Sequence, residues 1–454
     1  MQNGLLRYLL AGATALPIAC AALSPVAQGA DGNILLVVLD DFGQDAAWPS
    51  PAWPATNVAR APQPNMAALA NRGITFGNMD AHMECSPTRA AIMTGQYAFR
   101  PENGVAEWIS PDRVDLPNQA FTLFDAFTAS AAGQRYRRAH IGKLHLYHGT
   151  DGLNAPLNQG GINDFSGPLP GGALNSYYRW PNVTNGVSRS TTTYATTLQS
   201  DLAIAQITKV DSRPYFISLD YNAPHTVSGG YERPPNNLHG YDTIPAGPVD
   251  DQVHFDAVVQ AMDTELGRVL GRVDFSTTTV ILLGDNGTAK SVRRAPYGAR
   301  GCKSTIYQCG VAVPFVIAGK GVTGTVPRVD QRLTQDVDLF PTILQLAAIP
   351  ATVVPAGRKI DGKSLMPYLS TTTGSNGRVY NYNETFTGTW NNKAVRSMRG
   401  GRYKVVTRGA KQELYNILSD PHETTNLIGA PLSAEAAEAR TRLLAEMNAL
   451  LATR

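Results

Sequence analysis

Long apolar runs of strand length constrain the fold of this chain more than any other feature. Residues 33–39 read NILLVVL, and two aspartates follow at once. A run without polar alternation predicts a strand that is buried on both faces. Similar runs occupy residues 215–219, 280–283 and 311–317, and helix-like stretches such as residues 255–270 lie between them. Strands that alternate with helices predict an α/β fold with a large, mostly parallel central sheet covered by helices on both faces.

Polar residues follow three of these runs directly or within a few residues: Asp40 and Asp41, then His225, then Asp285 and Asn286. In open α/β sheets the functional crevice lies at the carboxyl ends of the strands. Asp and Asn also begin ordinary turns, which would explain one such strand end. Three strand ends of this kind favour a shared site.

The carboxyl-terminal part of the chain has a different character. Residues 370–377 read STTTGSNG, and residues 378–415 have the pattern of short strands with a turn at Gly400-Gly401. Ser433 is a candidate N-cap for a helix with an apolar stripe, at Leu443, Met447, Leu450 and Leu451. We therefore predict a catalytic domain over residues 31–370 and a smaller α+β domain with an antiparallel sheet over residues 371–454.

The first thirty residues have the pattern of a signal peptide: an arginine, an apolar run over residues 9–22, and small residues around 27–30. A permanent membrane anchor is disfavoured because the run is short and is interrupted by glycine and proline. A lipid anchor at Cys20 is a weaker alternative, since the residues before it match the expected pattern poorly. We expect an exported protein, periplasmic or secreted, with no stable membrane span.

The chain has four cysteines, of which Cys20 would leave with the signal peptide. Cys302 and Cys309 are close enough in sequence to close a small disulfide loop in an oxidising compartment. Cys85 lies in a motif that predicts a role other than a disulfide.

The charge pattern excludes a typical nucleic-acid binder, because the net charge is only +3 and no long basic stripe is present. Basic residues cluster at Arg135, Arg137 and Arg138 and at the pair Arg293-Arg294. We interpret both clusters as solvated surface, with a role in steering an anionic substrate as the alternative.

The string Cys85-Ser86-Pro87-Thr88-Arg89, which continues to Gly95, is the most specific motif. Pro87 favours an extended Ser86 and can stand near a helix start, which would place Cys85 close to a helix N-terminus. That field favours anions, and Arg89 adds a fork of donors suited to sulfate or phosphate oxygens.

This string resembles the signature of the sulfatases, in which a cysteine followed by x-P-x-R and then x4-T-G directs its own conversion to formylglycine. Further similar segments are NILLVVLDDFG, RYRRAHIGKLHL, YNAPH, LLGDNG, GCKSTIYQCGVAVPF and ELYNILSDPHETTNL, so the resemblance extends across the chain. It implies an alkaline phosphatase-like fold, an arylsulfatase-like sulfuric ester hydrolase, and maturation by a formylglycine-generating enzyme.

The resemblance also implies a metal site at Asp40, Asp41, Asp285 and Asn286. All four residues offer oxygen donors, which suit a hard divalent cation such as calcium or magnesium and argue against zinc. The family favours Ca²⁺, and the residues alone leave Mg²⁺ open.

Four more positions match the catalytic residues of the family. Lys143 and His145 match the pair near the sulfate and the formylglycine, and His225 and Lys303 match residues that contact the sulfate and assist the leaving oxygen. With Cys85 and Arg89 they form the predicted catalytic set. The implied reaction hydrolyses an aryl or carbohydrate sulfate ester to an alcohol and inorganic sulfate.

Two features limit the resemblance. Many sulfatases have Glu-Gly-Gly after the catalytic lysine, whereas this chain has Gln308-Cys309-Gly310. Residues 153–190, rich in Gly, Asn, Ser and Tyr, are expected to form a loop that borders the pocket, but their sequence does not identify the substrate.

The alternative functions are a phosphonate monoester or phosphodiester hydrolase of the same superfamily, and a binding protein that has lost catalysis.

Overall fold

The computed structural model describes residues 32–48, 59–100, 116–117, 120–147, 152–158, 161–169, 171–240, 244, 250–385 and 394–454. The predicted signal peptide and Cys20 lie outside these ranges. No helix within them is long and apolar enough to cross a bilayer.

The strands of the described residues form two separate sheets. Ten strands form the large sheet: β1 Asn33–Leu39, β2 Gly73–Asp80, β3 Arg137–Gly142, β4 Asp164–Pro168, β5 Trp180–Thr184, β6 Val187–Thr191, β7 Tyr215–Tyr221, β8 Thr278–Gly284, β9 Phe315–Gly319 and β10 Arg328–Gln335. Four strands form the small sheet: β11 Asn381–Glu384, β12 Val395–Arg399, β13 Tyr403–Arg408 and β14 Lys411–Asn416.

Helices connect and cover these strands: α1 Pro64–Ala70, α2 Cys85–Thr94, α3 Leu123–Ala129, α4 Ala131–Gln134, α5 Ala155–Asn158, α6 Ala195–Ile207, α7 Asp251–Leu270, α8 Gln308–Val311, α9 Leu339–Leu346, α10 Met366–Ser370 and α11 Ala434–Leu451. Short 3₁₀ turns occupy Asn236–Leu238, Lys290–Val292, Asp336–Asp338, Ala351–Val353 and Leu427–Gly429.

The large sheet has the order β10-β2-β9-β8-β1-β7-β3-β4-β5-β6. Strands β8, β1, β7, β3 and β4 pair in parallel, as do β10 and β2, whereas β9, β5 and β6 pair in antiparallel fashion. The small sheet is antiparallel throughout. The predicted fold class, a mostly parallel α/β sheet with a separate antiparallel sheet, is confirmed.

Strand β1 shows why the sheet is covered on both faces. Ile34, Leu36 and Val38 belong to one hydrophobic cluster, which includes side chains of α3 and α9. The alternating residues Leu35, Val37 and Leu39 belong to a second cluster, which includes side chains of α1 and α7. Successive strand side chains point to opposite faces, so a continuous apolar run needs a core on each side.

The small sheet packs in a third cluster, which it shares with Ala91 of α2 and to which Met398, Leu414, Leu443 and Met447 contribute. Ser433 caps α11 as predicted, because its side chain accepts a hydrogen bond from the Ala436 amide. The predicted boundary between residues 370 and 371 stays a prediction.

Some local predictions are wrong. The run 311–317 is not one strand. Val311 is the last residue of α8, and β9 begins only at Phe315. Pro314 lies between them and has no amide hydrogen to donate to a neighbouring strand. Residues 153–190 are not an irregular loop, since they contain α5, β4, β5 and part of β6.

The predicted solvated cluster of arginines is also partly buried. Arg137 is only 9% exposed and Arg138 only 8%. The reason is their position at the start of β3, which lies inside the sheet between β7 and β4.

Candidate active site

Four adjacent parallel strands bring the predicted site residues to one edge of the large sheet. The order β8-β1-β7-β3 is parallel throughout, so the carboxyl ends of these strands open on the same side. Asp285 and Asn286 follow β8, Asp40 and Asp41 follow β1, His225 follows β7, and Lys143 follows β3. The crevice predicted from the sequence is therefore a single place in the fold.

Cys85 is the first residue of α2 and is buried at the centre of this crevice. Its Sγ atom lies 3.3 Å from Asp40 Oδ1, 3.7 Å from Asp41 Oδ1 and 3.5 Å from Lys303 Nζ. Burial, followed by the nearby Asp285 carboxylate, raises the pKa of the Cys85 thiol well above its ordinary value. The side chain is thus enclosed by carboxylates and an ammonium group.

The helix start differs from the prediction in one detail. Ser86 is helical rather than extended, and the extended residue is the N-cap, Glu84. Pro87 is the third residue of α2, where its missing amide hydrogen costs nothing because the first turn has no intrahelical acceptor. The position of Cys85 at the helix N-terminus is as predicted.

Arg89 lies one turn after Cys85 and is only 1% exposed. One terminal nitrogen donates to the Lys143 carbonyl at 2.5 Å and to Asp220 at 2.7 Å. The other donates to Asp285 at 2.8 Å. Burial lowers the pKa of Arg89, but Asp285 and the other carboxylates raise it further, so the guanidinium stays charged.

The two lysines each bind one carboxylate of the Asp40-Asp41 pair. Lys143 Nζ lies 2.6 Å from Asp40 Oδ2, and Lys303 Nζ lies 2.6 Å from Asp41 Oδ1. Burial alone would lower the pKa of each lysine, yet the paired aspartate raises it above the ordinary value. Both ammonium groups therefore remain positive and face the position of Cys85.

The two histidines lie at the same site. His225 Nε2 lies 3.7 Å from Asp41 Oδ2, while its Nδ1 lies 2.6 Å from the Thr226 carbonyl, which assigns a proton to Nδ1. His145 is partly exposed and has a left-handed backbone, with φ of 54°. Burial and then Lys143 lower the pKa of both imidazoles.

The residues of the predicted metal site fit a hard divalent cation. The Asp41 amide donates to Asp285 Oδ1 at 2.9 Å, and Asn286 Nδ2 donates to Asp41 Oδ1 at 2.8 Å. Those contacts leave Asn286 Oδ1 buried with no hydrogen-bond partner. Burial and then Asp40 raise the pKa of Asp285 to about 7. A cation would neutralise these crowded carboxylates and satisfy the free amide oxygen.

Comparison with known proteins shows the family of this chain. The family model described as sulfatase matches residues 32–349. The chain belongs to the sulfatase family. A second model, described as the C-terminal part of N-sulphoglucosamine sulphohydrolase, matches residues 302–450. Sulfatases are sulfuric ester hydrolases, so the predicted family and enzyme class are confirmed, as is sulfate ester hydrolysis.

Individual relatives cover most of this sulfatase. It is 26% identical to human arylsulfatase A over 457 residues, which cover 88% of this chain and 84% of that protein. It is 24% identical to a sulfatase of Formosa agariphila over 513 residues, covering 92% and 88%. Its fold matches the solved structure of Ps i-CgsB in complex with k-i-k-neocarrahexaose, with a TM-score of 0.72, 20% identity and 92% of each chain covered.

The candidate site also contains residues that the sequence analysis missed. Asp220, at the end of β7, binds Arg89 and accepts a hydrogen bond from Ser218 at 2.5 Å. Tyr177 donates to the carbonyls of Asn222 and His225, both at 2.9 Å, and so holds the loop that carries His225. A signal existed only for Asp220, which directly follows the apolar run 215–219.

The loop that carries Lys303 is closed by a disulfide between Cys302 and Cys309, the pairing that the sequence favours. Gln308, at a position where many sulfatases have Glu, does not face Cys85. Its side-chain oxygen accepts a hydrogen bond from Arg399 at 2.8 Å, and its backbone N–H donates to Glu423 at 2.5 Å. This departure therefore concerns the contact with the small sheet.

Proposed function

We propose that this sulfatase hydrolyses sulfate esters of carbohydrates, with a nucleophile made by oxidation of Cys85 to formylglycine. The observation that carries the proposal is the position of Cys85. It begins a helix, completes the C-x-P-x-R string, and lies within 3.7 Å of Asp40, Asp41 and Lys303. A formylglycine-generating enzyme would supply the modification during maturation.

The first half of the reaction forms a bond from the nucleophile to sulfur. The aldehyde of formylglycine adds water to give a geminal diol. One hydroxyl oxygen attacks sulfur as its proton passes to a nearby carboxylate such as Asp285, while the ester S–O bond breaks. Lys143 and Arg89 supply fixed positive charge beside the nucleophile. A divalent cation bound by Asp40, Asp41, Asp285 and Asn286 would neutralise charge on the sulfuryl oxygens.

The departing alkoxide needs a proton or a cation. Lys303 stays charged through its contact with Asp41 and lies 3.5 Å from Cys85 Sγ. His225 lies on the other side of Asp41, and an anionic sulfate beside it favours the protonated imidazole. We assign both residues to the leaving oxygen, with His225 as the proton donor.

The second half of the reaction releases sulfate. The remaining hydroxyl of the diol loses its proton to a base such as His145, the C=O bond of the aldehyde re-forms, and the C–O bond to the sulfate group breaks. Burial and Lys143 lower the pKa of His145, which keeps this imidazole neutral and able to accept a proton. An unmodified thiol has no second hydroxyl and could not complete this step.

Several relatives support a carbohydrate substrate. N-Acetylgalactosamine-6-sulfatase of Canis lupus familiaris is 26% identical over 76% of this chain. One similar structure, with a TM-score of 0.67, is in complex with its substrate D-glucosamine-2-N,6-O-disulfate. Beyond His225 the same loop carries Ser228, whose hydroxyl donates to exposed Asn175, so polar groups of the kind that bind sugar hydroxyls adjoin the site.

Calcium is the proposed cation, with magnesium as the alternative, because every donor is an oxygen. Export to the periplasm or the medium is proposed from the signal-peptide pattern of residues 1–30. The Cys302–Cys309 disulfide supports that location, since such bonds persist in oxidising compartments.

A direct assay tests the proposed function. Purified protein, coexpressed with a formylglycine-generating enzyme, is given an aryl sulfate, an aryl phosphate, a phosphonate monoester and a panel of sulfated monosaccharides. We expect the highest kcat/KM on sulfates. A higher kcat/KM on the phosphonate or phosphate would favour the rival hydrolase activity, and no turnover of any ester would favour a protein that only binds.

A further inference from the structure

A second cationic cavity lies at the opposite end of the large sheet from the active site. It has a volume of about 290 Å³ and lies at the amino ends of β3 and β7. Its lining includes Tyr136, Arg137, Arg138, Asp164, Lys209 and Arg213. Lys143, at the other end of β3, is five residues from Arg138, a span of roughly 15–20 Å along an extended strand. The two sites therefore cannot share one sulfate group.

Arg138 is the central observation. It is 8% exposed, and its Nε atom is buried without a hydrogen-bond partner. Within the described part of the chain, no hydrogen bond or ion pair involves its guanidinium. The neighbouring Arg137 differs, because it donates to the Gln206 carbonyl at 3.1 Å and lies 3.5 Å from Asp211.

The nearby carboxylates form no ion pair with Arg138. Asp164 accepts hydrogen bonds from Gln206 and Asn185. Asp211 is bound by Arg213 at 2.7 Å. Lys209, which also lines the cavity, forms no hydrogen bond or ion pair with the residues that the structure describes. Arg138 and Lys209 thus have no ion-pair partner among the residues that the structure describes.

A nearly buried arginine without a partner is unfavourable, because the Nε of Arg138 has lost water without gaining a hydrogen bond. Its planar fork of donors matches the oxygens of sulfate and phosphate groups. The volume exceeds what a bare oxyanion needs and approaches the lower bound of small-molecule sites. These properties describe a site for an oxyanion that can be carried on a small molecule.

We propose that this cavity is a second binding site, separate from the catalytic centre, which takes a sulfate or phosphate group through Arg138 and Lys209. The group can belong to the free anion or to a sugar-sized ligand. The proposal does not depend on the substrate assigned to the active site.

Isothermal titration of the Cys85→Ala protein, which cannot consume the ligand, tests this proposal. The probes are inorganic sulfate, inorganic phosphate and glucosamine 6-sulfate. Arg138→Met removes the charge at similar length, and Arg189→Met, at an exposed position on β6, is the matched control. We expect the Arg138 variant to bind one equivalent fewer than its parent, and the Arg189 variant to bind as many as its parent.

Two further measurements sharpen the result. Tighter binding of glucosamine 6-sulfate than of inorganic sulfate, lost with Arg138, would assign a sugar-carried group, and equal binding would assign the free anion. In otherwise wild-type protein, Arg138→Met should leave kcat on a small aryl sulfate unchanged. Without added anion it should raise Tm by about 1–3 °C, because an unpaired buried charge is removed. Equal stoichiometry in parent and Arg138 variant for all three probes would overturn the proposal and leave only water in the cavity.

Discussion

Lys303 Nζ lies 2.6 Å from Asp41 Oδ1, and the residue before Lys303 is held in the Cys302–Cys309 disulfide. The bond closes a loop with a sequence separation of 7. We predict that replacing both cysteines by serine lowers the free energy of unfolding by about 2–3 kcal/mol. Because the loop also positions Lys303, kcat should fall by about 10–100-fold.

Denaturant unfolding and steady-state kinetics of the double variant measure both effects. Wild-type protein treated with a reductant is the control and should behave like the variant. Full kcat in a less stable variant would show that the disulfide stabilises the fold without positioning Lys303.

Cys85 gives the simplest prediction. Cys85→Ala should lower kcat/KM for an aryl sulfate by at least about 10³-fold, since the nucleophile is lost. Circular dichroism and Tm should stay close to those of wild type, because the change removes only one small side-chain atom. In active wild-type protein, mass spectrometry of the Cys85 peptide should show an aldehyde that reacts with a hydrazide. Activity that persists with an unmodified thiol would contradict the mechanism.

The strands and their polar ends could be predicted from the sequence because both depend on local patterns. The run 33–39 had to be buried on both faces, and Asp40 and Asp41 had to leave its carboxyl end. Contacts between distant segments gave no such signal. The partners of Arg89 are 131 and 196 residues away, at Asp220 and Asp285.

The burial of Arg138 is a second property that could not be predicted from the sequence pattern. Three basic residues close together normally indicate solvated surface, and their sequence pattern contains nothing to the contrary. The burial of Arg137 and Arg138 follows from the place of β3 inside the sheet and from the segment after α6 that carries Lys209. Strand order is a tertiary property, so the sequence pattern could not give it.

The metal site predicts a linked loss of ion and activity. Asp285→Asn keeps an acceptor for the Asp41 amide but removes one negative charge, so affinity for the cation should fall at least about tenfold. Elemental analysis after dialysis should then find less calcium or magnesium per chain, with a parallel loss of kcat.

Asp263→Asn is the matched control for this experiment. Asp263 is equally buried, but its carboxylate accepts hydrogen bonds from the backbone amides of Asn65 and Met66 in another part of the fold. It should lose stability and keep its metal. Full activity of exhaustively chelated, metal-free wild-type protein would reject the metal site.

Glu384 predicts a pH dependence of stability. Burial raises its pKa from 4.5 to about 7, although Arg396 acts in the opposite direction. The folded state then binds a proton more tightly than the unfolded state, so stability falls as pH rises from about 4.5 to 7. The loss is on the order of 3 kcal/mol at most. Glu384→Gln should flatten this slope.

Urea unfolding at several pH values measures the effect as the difference between wild type and variant. Glu435→Gln is the control, because Glu435 is 59% exposed and pairs with Arg402 at the surface. It should leave the slope unchanged. Parallel stability curves for wild type and the Glu384 variant would contradict the assignment.

The role of His225 can be separated from a structural role by the leaving group. Tyr177 holds its loop, and Nε2 faces the crevice 3.7 Å from Asp41 Oδ2. If His225 protonates the departing oxygen, His225→Ala should lower kcat/KM by about 10²–10⁴-fold for esters of sugar or alkyl alcohols. Esters of acidic phenols should lose far less, because a stable phenolate needs little protonation.

A series of aryl sulfates with increasing phenol pKa, extended to alkyl sulfates, gives the decisive plot of log kcat/KM. The variant should give a steeper line than wild type. His422→Ala, which removes a histidine that packs against Tyr297 away from Cys85, should reproduce the wild-type line. A His225 that only positions the loop would lower every ester by the same factor, and the line for its variant would then run parallel to that of wild type. Such parallel lines would leave Lys303 as the group that stabilises the leaving oxygen, since its charged Nζ lies 3.5 Å from Cys85 Sγ.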